Sequence, residues 1–359
     1  MKNNIFAFLG SSGSGKDCLA SILEEEYGIT RLISHATRHP RTGEDGCSYF
    51  FVDSDAFDKL DFIEEVEYAG NRYGLSKAEI DSKLQYNDVY TIVNREGVEA
   101  LKSIYGDQVK CIYVYADMAT TKKRMIARGD SKEAIETRLN NAVVERELEN
   151  FDIADKVIYN NKDLASAKES LREFITPTIF IDIDETLFKS IERFVNIYNK
   201  LEGANVDYTK VYDYDFAPAI KDLSFSEKMA IFNSSMFYKD IECYEGALFT
   251  IKRLSLYYNI KFLTMGTHEN IKYKMKELER IFPDAKVINL TNVDKSIINY
   301  GFRDFIIDDV EDILITSGCP NKILFAPNGE KDYNKSFRGV KCDSWMSIYE
   351  LLSLPKEEY

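Results

Sequence analysis

The stretch NIFAFLGSSGSGKDCLASILEEE, which begins at Asn4, constrains the fold more than any other part of the chain. An apolar run of the kind that forms a buried strand leads directly into a Gly/Ser-rich turn, and the turn into an amphipathic helical segment. Gly10, Gly15 and Lys16 stand at the spacing G-x-x-x-x-G-K. In a strand-turn-helix context the backbone N–H groups of Ser11, Ser12, Gly13, Ser14, Gly15 and Lys16 can cradle phosphate oxygens, and the helix N-terminus adds partial positive charge. Lys16 is placed to neutralise the charge that develops between two transferring phosphates. Asp17 departs from the pattern by standing where a magnesium-binding Ser or Thr is expected. A carboxylate is itself a hard-oxygen ligand for that ion, so Asp17 is a candidate metal-linked group.

The 359 residues call for about two domains. Short runs rich in Ile, Val, Phe and Tyr alternate with longer charged amphipathic segments, which predicts an α/β protein with mainly parallel sheets. NIFAFLG, VYTIVN, VKCIYVYA and DKVIYN form a first series of predicted strands. TPTIFIDIDETLF, IKFLTMG, AKVINL and DFIIDD form a second. The join is placed near Thr176 and Pro177, where the helical LASAKESLREFI stops ahead of proline. This gives domains at 1–175 and 176–359, with a Tyr- and Phe-rich helical insertion at about 187–245 covering the second site.

A net charge of −14 counts against long nucleic acid as a partner but leaves small phosphate compounds open. The six cysteines are scattered, with no C-x-x-C pair and no histidine at zinc spacing, which reads as reduced thiols in a cytoplasmic protein. The N-terminal apolar stretch is too short for a signal peptide or a membrane span, so no membrane association is expected.

SHATRHPRTGEDGCSYFFVD and FIEEVEYAGNRYGLSKAEI resemble the acceptor-binding segment of guanylate kinases, and KKRMIARG and DKVIYNNKDL continue the likeness over about residues 4–174. The resemblance implies a P-loop nucleoside monophosphate (NMP) kinase fold with NMP-binding and lid segments, using ATP and Mg2+. It implies that Arg38, Arg41, Tyr49 and Tyr73 hold the acceptor phosphate, where guanidinium forks and phenol hydroxyls suit a tetrahedral dianion. Ser34 and Glu64 match positions that read the guanine base, Arg124, Arg128 and Arg138 match lid arginines, and Asn160 matches the residue that reads the donor adenine. Leu75 stands where the family usually has a base-reading hydroxyl, and Asn94 where it usually has an acidic residue.

In the second half, the D-x-D-x-T of Asp182, Asp184 and Thr186 resembles the haloacid dehalogenase (HAD) superfamily of phosphatases, implying a Rossmann-like domain with a small helical cap. Asp182 is then the nucleophile and Asp184 the general acid/base. Thr264 and Lys295 are expected at the phosphoryl group, Lys295 with rivals in Lys272, Lys274 and Lys276. Asp308 and Asp309 are expected to hold Mg2+ with Asp182 and the backbone carbonyl of Asp184. The insertion resembles the cap of 5'(3')-deoxyribonucleotidases, with Phe188, Tyr214 and Phe216 either stacking on a base or filling the cap core.

The resulting expectation is a two-domain enzyme acting on small nucleotides, a (deoxy)guanylate-type kinase joined to a 5'-nucleotidase. Two other readings exist: a polynucleotide kinase-phosphatase that heals strand ends, and a non-catalytic guanylate-kinase-like binding module. The acidic charge and the acceptor-binding segment argue against the first, and the complete Gly10, Gly15 and Lys16 loop against the second.

Overall fold

A computed structural model describes residues 3–40, 49–68, 70–144, 146–213, 216, 219–291 and 293–353. Arg41 and Tyr214 lie outside the described residues. The chain divides into two units, Met1–Phe174 and Ile175–Tyr359.

In the first unit the apolar runs assemble into a five-stranded parallel sheet, in the order Thr30–Arg31, Val89–Ile92, Ile5–Leu9, Val109–Tyr115 and Lys156–Tyr159. Ile5–Leu9 is central and buried along its whole length, as a parallel strand covered on both faces must be. The helix Lys16–Tyr27 buries Leu19, Ala20, Ile22 and Leu23, one stripe at helical spacing, and ends where Gly28 takes a φ of 62°. A second, four-stranded sheet in the order Phe50–Phe51, His35–Ala36, Asn71–Ser76 and Phe62–Tyr68 is formed by the stretch expected to be the NMP-binding segment. The stretch expected to be the lid is helical, Met118–Arg128 followed by Lys132–Val144. Asp117 starts the first of these by accepting from Thr120 N at 2.7 Å, and Gly129 stops it.

The second unit has a six-stranded parallel sheet in the order Lys286–Leu290, Asn259–Met265, Thr178–Asp182, Phe305–Asp308, Asn321–Phe325 and Val340–Cys342. This is a Rossmann-like arrangement, and the strands ending in Asp182, Asp308 and Met265 are neighbours. Helices Ser190–Glu202, Phe225–Phe232 and Ser235–Tyr238 form the small cap. Phe216 packs on Phe194 and Phe232 on both, with ring centroids 4.5 to 5.8 Å apart. Of the two roles open to Phe188 and Phe216, the buried positions of both favour the core. Among the described residues no helix is long and apolar enough to cross a membrane.

Candidate active sites

The first site begins where the strand Ile5–Leu9 ends. Gly10 has a φ of 153°, and a Cβ there would lie 2.5 Å from the Val114 carbonyl oxygen, so the turn can pass this neighbouring strand only without a side chain. At Gly15, with a φ of 92°, a Cβ would meet Asn160 Nδ2 at 2.4 Å. Lys16 opens the helix and folds back to donate from Nζ to the Ser11 carbonyl at 3.4 Å. Asp17 points outward, with its side chain 82% exposed and 4.0 Å from Lys16 Nζ.

Asn160 and Arg124 take partners that the sequence does not suggest. Asn160 is 2% exposed, and its Nδ2 donates to the Ser14 carbonyl at 2.7 Å. Arg124 donates through Nη1 to the carbonyls of Gly13 and Ser14 at 3.3 and 3.1 Å, and through Nη2 to the Asn160 carbonyl at 2.8 Å. Both therefore lie against the Gly-rich loop, where Asn160 is expected to read the donor adenine and Arg124 to close over the phosphates. Arg128 and Arg138 converge on Asp130, a residue that sequence reasoning missed, each at 2.5 Å. Asp130 is held below the usual carboxylate range by its hydrogen bonds from Arg128 and the nearby guanidinium charges.

The residues expected at the acceptor are placed on and around the small sheet. The Arg38 guanidinium lies over the rings of Tyr49 and Phe51, at 5.2 and 5.1 Å, and Tyr49 meets Tyr73 edge-on at 5.6 Å. Ser34 sits between Ile33, whose N–H donates to Glu79 Oε1 at 2.9 Å, and the strand His35–Ala36. Glu64 packs against the first turn of the helix Arg95–Tyr105, where a Cβ on Gly97 would come within 2.5 Å of its Oε2. Burial pushes the Glu64 carboxyl up to about 7; the backbone N–H of Asn94 opposes that rise and the Glu96 charge adds to it. Asn94 is the cap of that helix, its Oδ1 accepting from Gly97 N at 2.9 Å. Leu75 pairs directly with Glu64 across the strands and is 2% exposed, within a core that includes Ile80, Val93 and Val98.

The second site lies at the ends of adjacent strands. Lys295 bridges Asp182 and Asp308, the latter at 2.6 Å, from a fully buried position. Its rival Lys274 is in the site as well: its Nζ is 2.5 Å from Asp184 Oδ2 and donates to Thr264 Oγ1 at 2.8 Å. Lys272 and Lys276 are exposed. Asp184 also accepts from Ser190 Oγ at 2.7 Å and from the Tyr238 hydroxyl at 3.2 Å, which turns its side chain toward the cap.

One ligand oxygen from each of Asp182, Asp308 and Asp309 lies within 4.8 Å of the others. This all-oxygen set, with two members buried, suits a hard divalent cation. Burial pushes Asp182 up to about 7 and Asp309 well above its ordinary value, with neighbouring carboxylates adding to both shifts. Lys295 offsets part of this at Asp182, and a bound cation would offset more. Lys295 itself is held above its usual range, because the two carboxylates outweigh the effect of its burial.

The guanylate kinase family model matches residues 2–178. A guanylate kinase of Fusobacterium nucleatum is 32% identical over 165 residues, 44% of this chain and 88% of that relative. One of Francisella tularensis is 33% identical over 193 residues, 50% of this chain and 99% of that relative. Among solved structures, guanylate kinase from Anaplasma phagocytophilum is 22% identical with a TM-score of 0.37, covering 48% of this chain and 84% of its own. A putative HAD-hydrolase from Bacillus subtilis, bound to magnesium, is 11% identical with a TM-score of 0.35, covering 50% of this chain and 99% of its own. Nearly the whole length of several guanylate kinases is thus matched at about one residue in three, and by its N-terminal half the chain belongs to the guanylate kinase family.

Proposed function

We propose that the chain is a bifunctional enzyme of nucleotide metabolism with domains at 1–175 and 176–359. The first transfers a phosphoryl group from ATP to a (deoxy)guanylate-type monophosphate, and the second hydrolyses a (deoxy)nucleoside monophosphate. The observation that carries the second half of this reading is Lys295 bridging Asp182 and Asp308 inside a carboxylate cluster at strand ends.

In the kinase, the N–H groups of Ser11 to Lys16 hold the donor phosphates and Lys16 neutralises the charge between donor and acceptor. Asn160 reads the donor adenine and Arg124 closes over the phosphates, both from positions against the Gly-rich loop. Arg128 and Arg138 come to the phosphates from the lid, while Arg38, Arg41, Tyr49 and Tyr73 hold the acceptor phosphate. Ser34 and Glu64 read the base, the carboxylate accepting from the purine N1–H and 2-amino group. Asp17 would take part in holding Mg2+.

In the phosphatase, Asp182 attacks phosphorus, the P–O ester bond breaks, and Asp184 delivers a proton to the departing nucleoside oxygen. Asp184 then takes a proton from the water that hydrolyses the aspartyl phosphate. Thr264 and Lys295 hold the phosphoryl oxygens, and Lys274 orients Asp184. Asp182, Asp308, Asp309 and the Asp184 carbonyl would hold Mg2+, which when bound would supply positive charge for the phosphoryl transfer. One nucleotide serving both sites would be drawn at once toward its diphosphate and its nucleoside, so the two sites take different bases or sugars. The test is a screen of all ribo- and deoxynucleoside monophosphates against the full chain, in which kinase and phosphatase substrates should separate into two sets.

Two outcomes follow from the base pocket. Glu64 must be ionised to accept from guanine, and its carboxyl lies near 7, so lowering the pH converts it to the neutral form. The acceptor KM should therefore rise about tenfold between about pH 8 and pH 6, since each unit below the pKa costs a factor of ten in the ionised form. The acceptor's own phosphate also titrates near pH 6. For that reason the comparison is Glu64→Gln, which should show a weaker KM and a shallower profile; equal profiles would remove Glu64 from base reading.

The second outcome concerns Leu75, which offers no hydroxyl beside Glu64. The purine 6-position should be read loosely: 2,6-diaminopurine deoxynucleotide, whose N1 carries no hydrogen for Glu64, keeps that penalty, but the 6-oxo over 6-amino ratio should be smaller than in kinases with a hydroxyl there. Leu75→Ser should sharpen 6-oxo over 6-amino preference about tenfold, the order of one polar contact in a pocket. Competition between paired monophosphates measures this, and unchanged discrimination would show that position 75 does not read the base.

A further inference from the structure

Behind the carboxylate cluster of the second unit lies a buried polar group that the proposed chemistry does not use. Glu185, next to Asp184, has a φ of 57°, a conformation that residues with side chains seldom adopt. Its Oε1 accepts from Ile191 N at 2.7 Å, and its Oε2 accepts from the Tyr244 hydroxyl at 3.0 Å and from Lys331 Nζ at 3.1 Å. The side chains of Glu185 and Lys331 are each only 9% exposed. A buried pair of this kind is costly to break, because the surviving charge is left without a partner.

Lys331 opens a short stretch whose other members reach Asp309. The Tyr333 hydroxyl donates to the Asp309 carboxylate, and Asn334 Nδ2 donates to the Asp309 carbonyl at 3.0 Å. Asn334 Oδ1 in turn accepts from Lys331 N at 2.8 Å, which closes the stretch on itself. One loop therefore grips the residue after Asp184 at one end and Asp309 at the other.

We propose that Lys331, Tyr333 and Asn334 form a positioning element for the metal centre, fixing the Asp309 carboxylate and the backbone around Asp184 before the ion arrives. This rests on reading the second unit as a Mg2+-dependent phosphatase. None of the three residues touches the reacting atoms, and they act through the metal-holding groups.

The test is titration of the full chain with Mn2+ alone, followed by electron paramagnetic resonance, with Asp308→Asn as the blank for the second-unit site. Tyr333→Phe removes only one hydroxyl and should weaken Mn2+ binding about tenfold, as should Lys331→Met. In turnover, the Mg2+ concentration for half-maximal phosphatase activity should rise by a similar factor while kcat at saturating Mg2+ stays near that of the parent. If Tyr333→Phe keeps its melting curve and binds Mn2+ like the parent, the positioning role is wrong even though the phosphatase reading stands. If parent and Asp308→Asn bind Mn2+ equally, the metal centre itself is wrong and the inference falls with it.

Discussion

Lys16→Ala should lower kinase turnover about a thousandfold, equivalent to about 4 kcal/mol of transition-state stabilisation, with acceptor KM little changed. The loss is large because Lys16 is the cation that the Gly-rich turn presents at its own end, with its Nζ folded over the Ser11 carbonyl. Arg124 does not replace it, because its guanidinium is shared with the carbonyls of Gly13 and Ser14. Asp17→Ser, by contrast, should retain activity, since a hydroxyl and an exposed carboxylate both serve a metal-linked role at that position. Steady-state kinetics on both variants decide the matter. Full activity in Lys16→Ala would end the kinase assignment, and equal loss in both variants would give Asp17 a different role.

Asp182→Asn should reduce phosphatase turnover by on the order of a thousandfold or more, because the amide keeps the shape of the nucleophile but lacks its negative charge. Lys295 would then retain only Asp308 among its two carboxylate partners. The variant should remain folded, because the strand Thr178–Asp182 is held by Ile179, Phe180 and Ile181, all buried, and not by its last residue. Burst measurements of nucleoside release would separate loss of the attack step from loss of hydrolysis. Substantial nucleoside release by a folded Asp182→Asn chain would mean that another group attacks phosphorus.

The fold was largely legible because both halves are built on parallel strands, whose continuous apolar runs stand out against charged helices. The strands that escaped reading are the short or peripheral ones and the hairpin Phe62–Tyr68 and Asn71–Ser76, whose charged residues interrupt any apolar run. Thr30–Arg31, His35–Ala36 and Phe50–Phe51 have two residues each, too few to carry a period, and Asn321–Phe325 and Val340–Cys342 close one edge of the second sheet. In the sites, residues at strand ends were visible because an acidic pair after an apolar run is unusual. Residues that act across long sequence separations were not. The Asn160 amide meets a carbonyl 146 residues away, and Glu185 meets Lys331 across the same separation. Nothing local distinguishes Glu185 from a solvated turn acid, nor Asp130 from the surface charge usual after a helix. Lys274 and Lys295 looked alike in sequence, and only the packing of the helix His268–Ile281 brings Lys274 to Asp184 and Thr264.

The central claim is that one chain carries two separate phosphoryl chemistries, each with its own substrate. Its most direct test is a crossed assay of the full-length parent, Lys16→Ala and Asp182→Asn. Each is given ATP with GMP or dGMP to follow ADP formation, and separately each nucleoside monophosphate with Mg2+ to follow phosphate release. The account predicts both activities in the parent, phosphatase alone in Lys16→Ala and kinase alone in Asp182→Asn. Absence of phosphate release from every monophosphate by the parent, or loss of both activities in either folded variant, would contradict it.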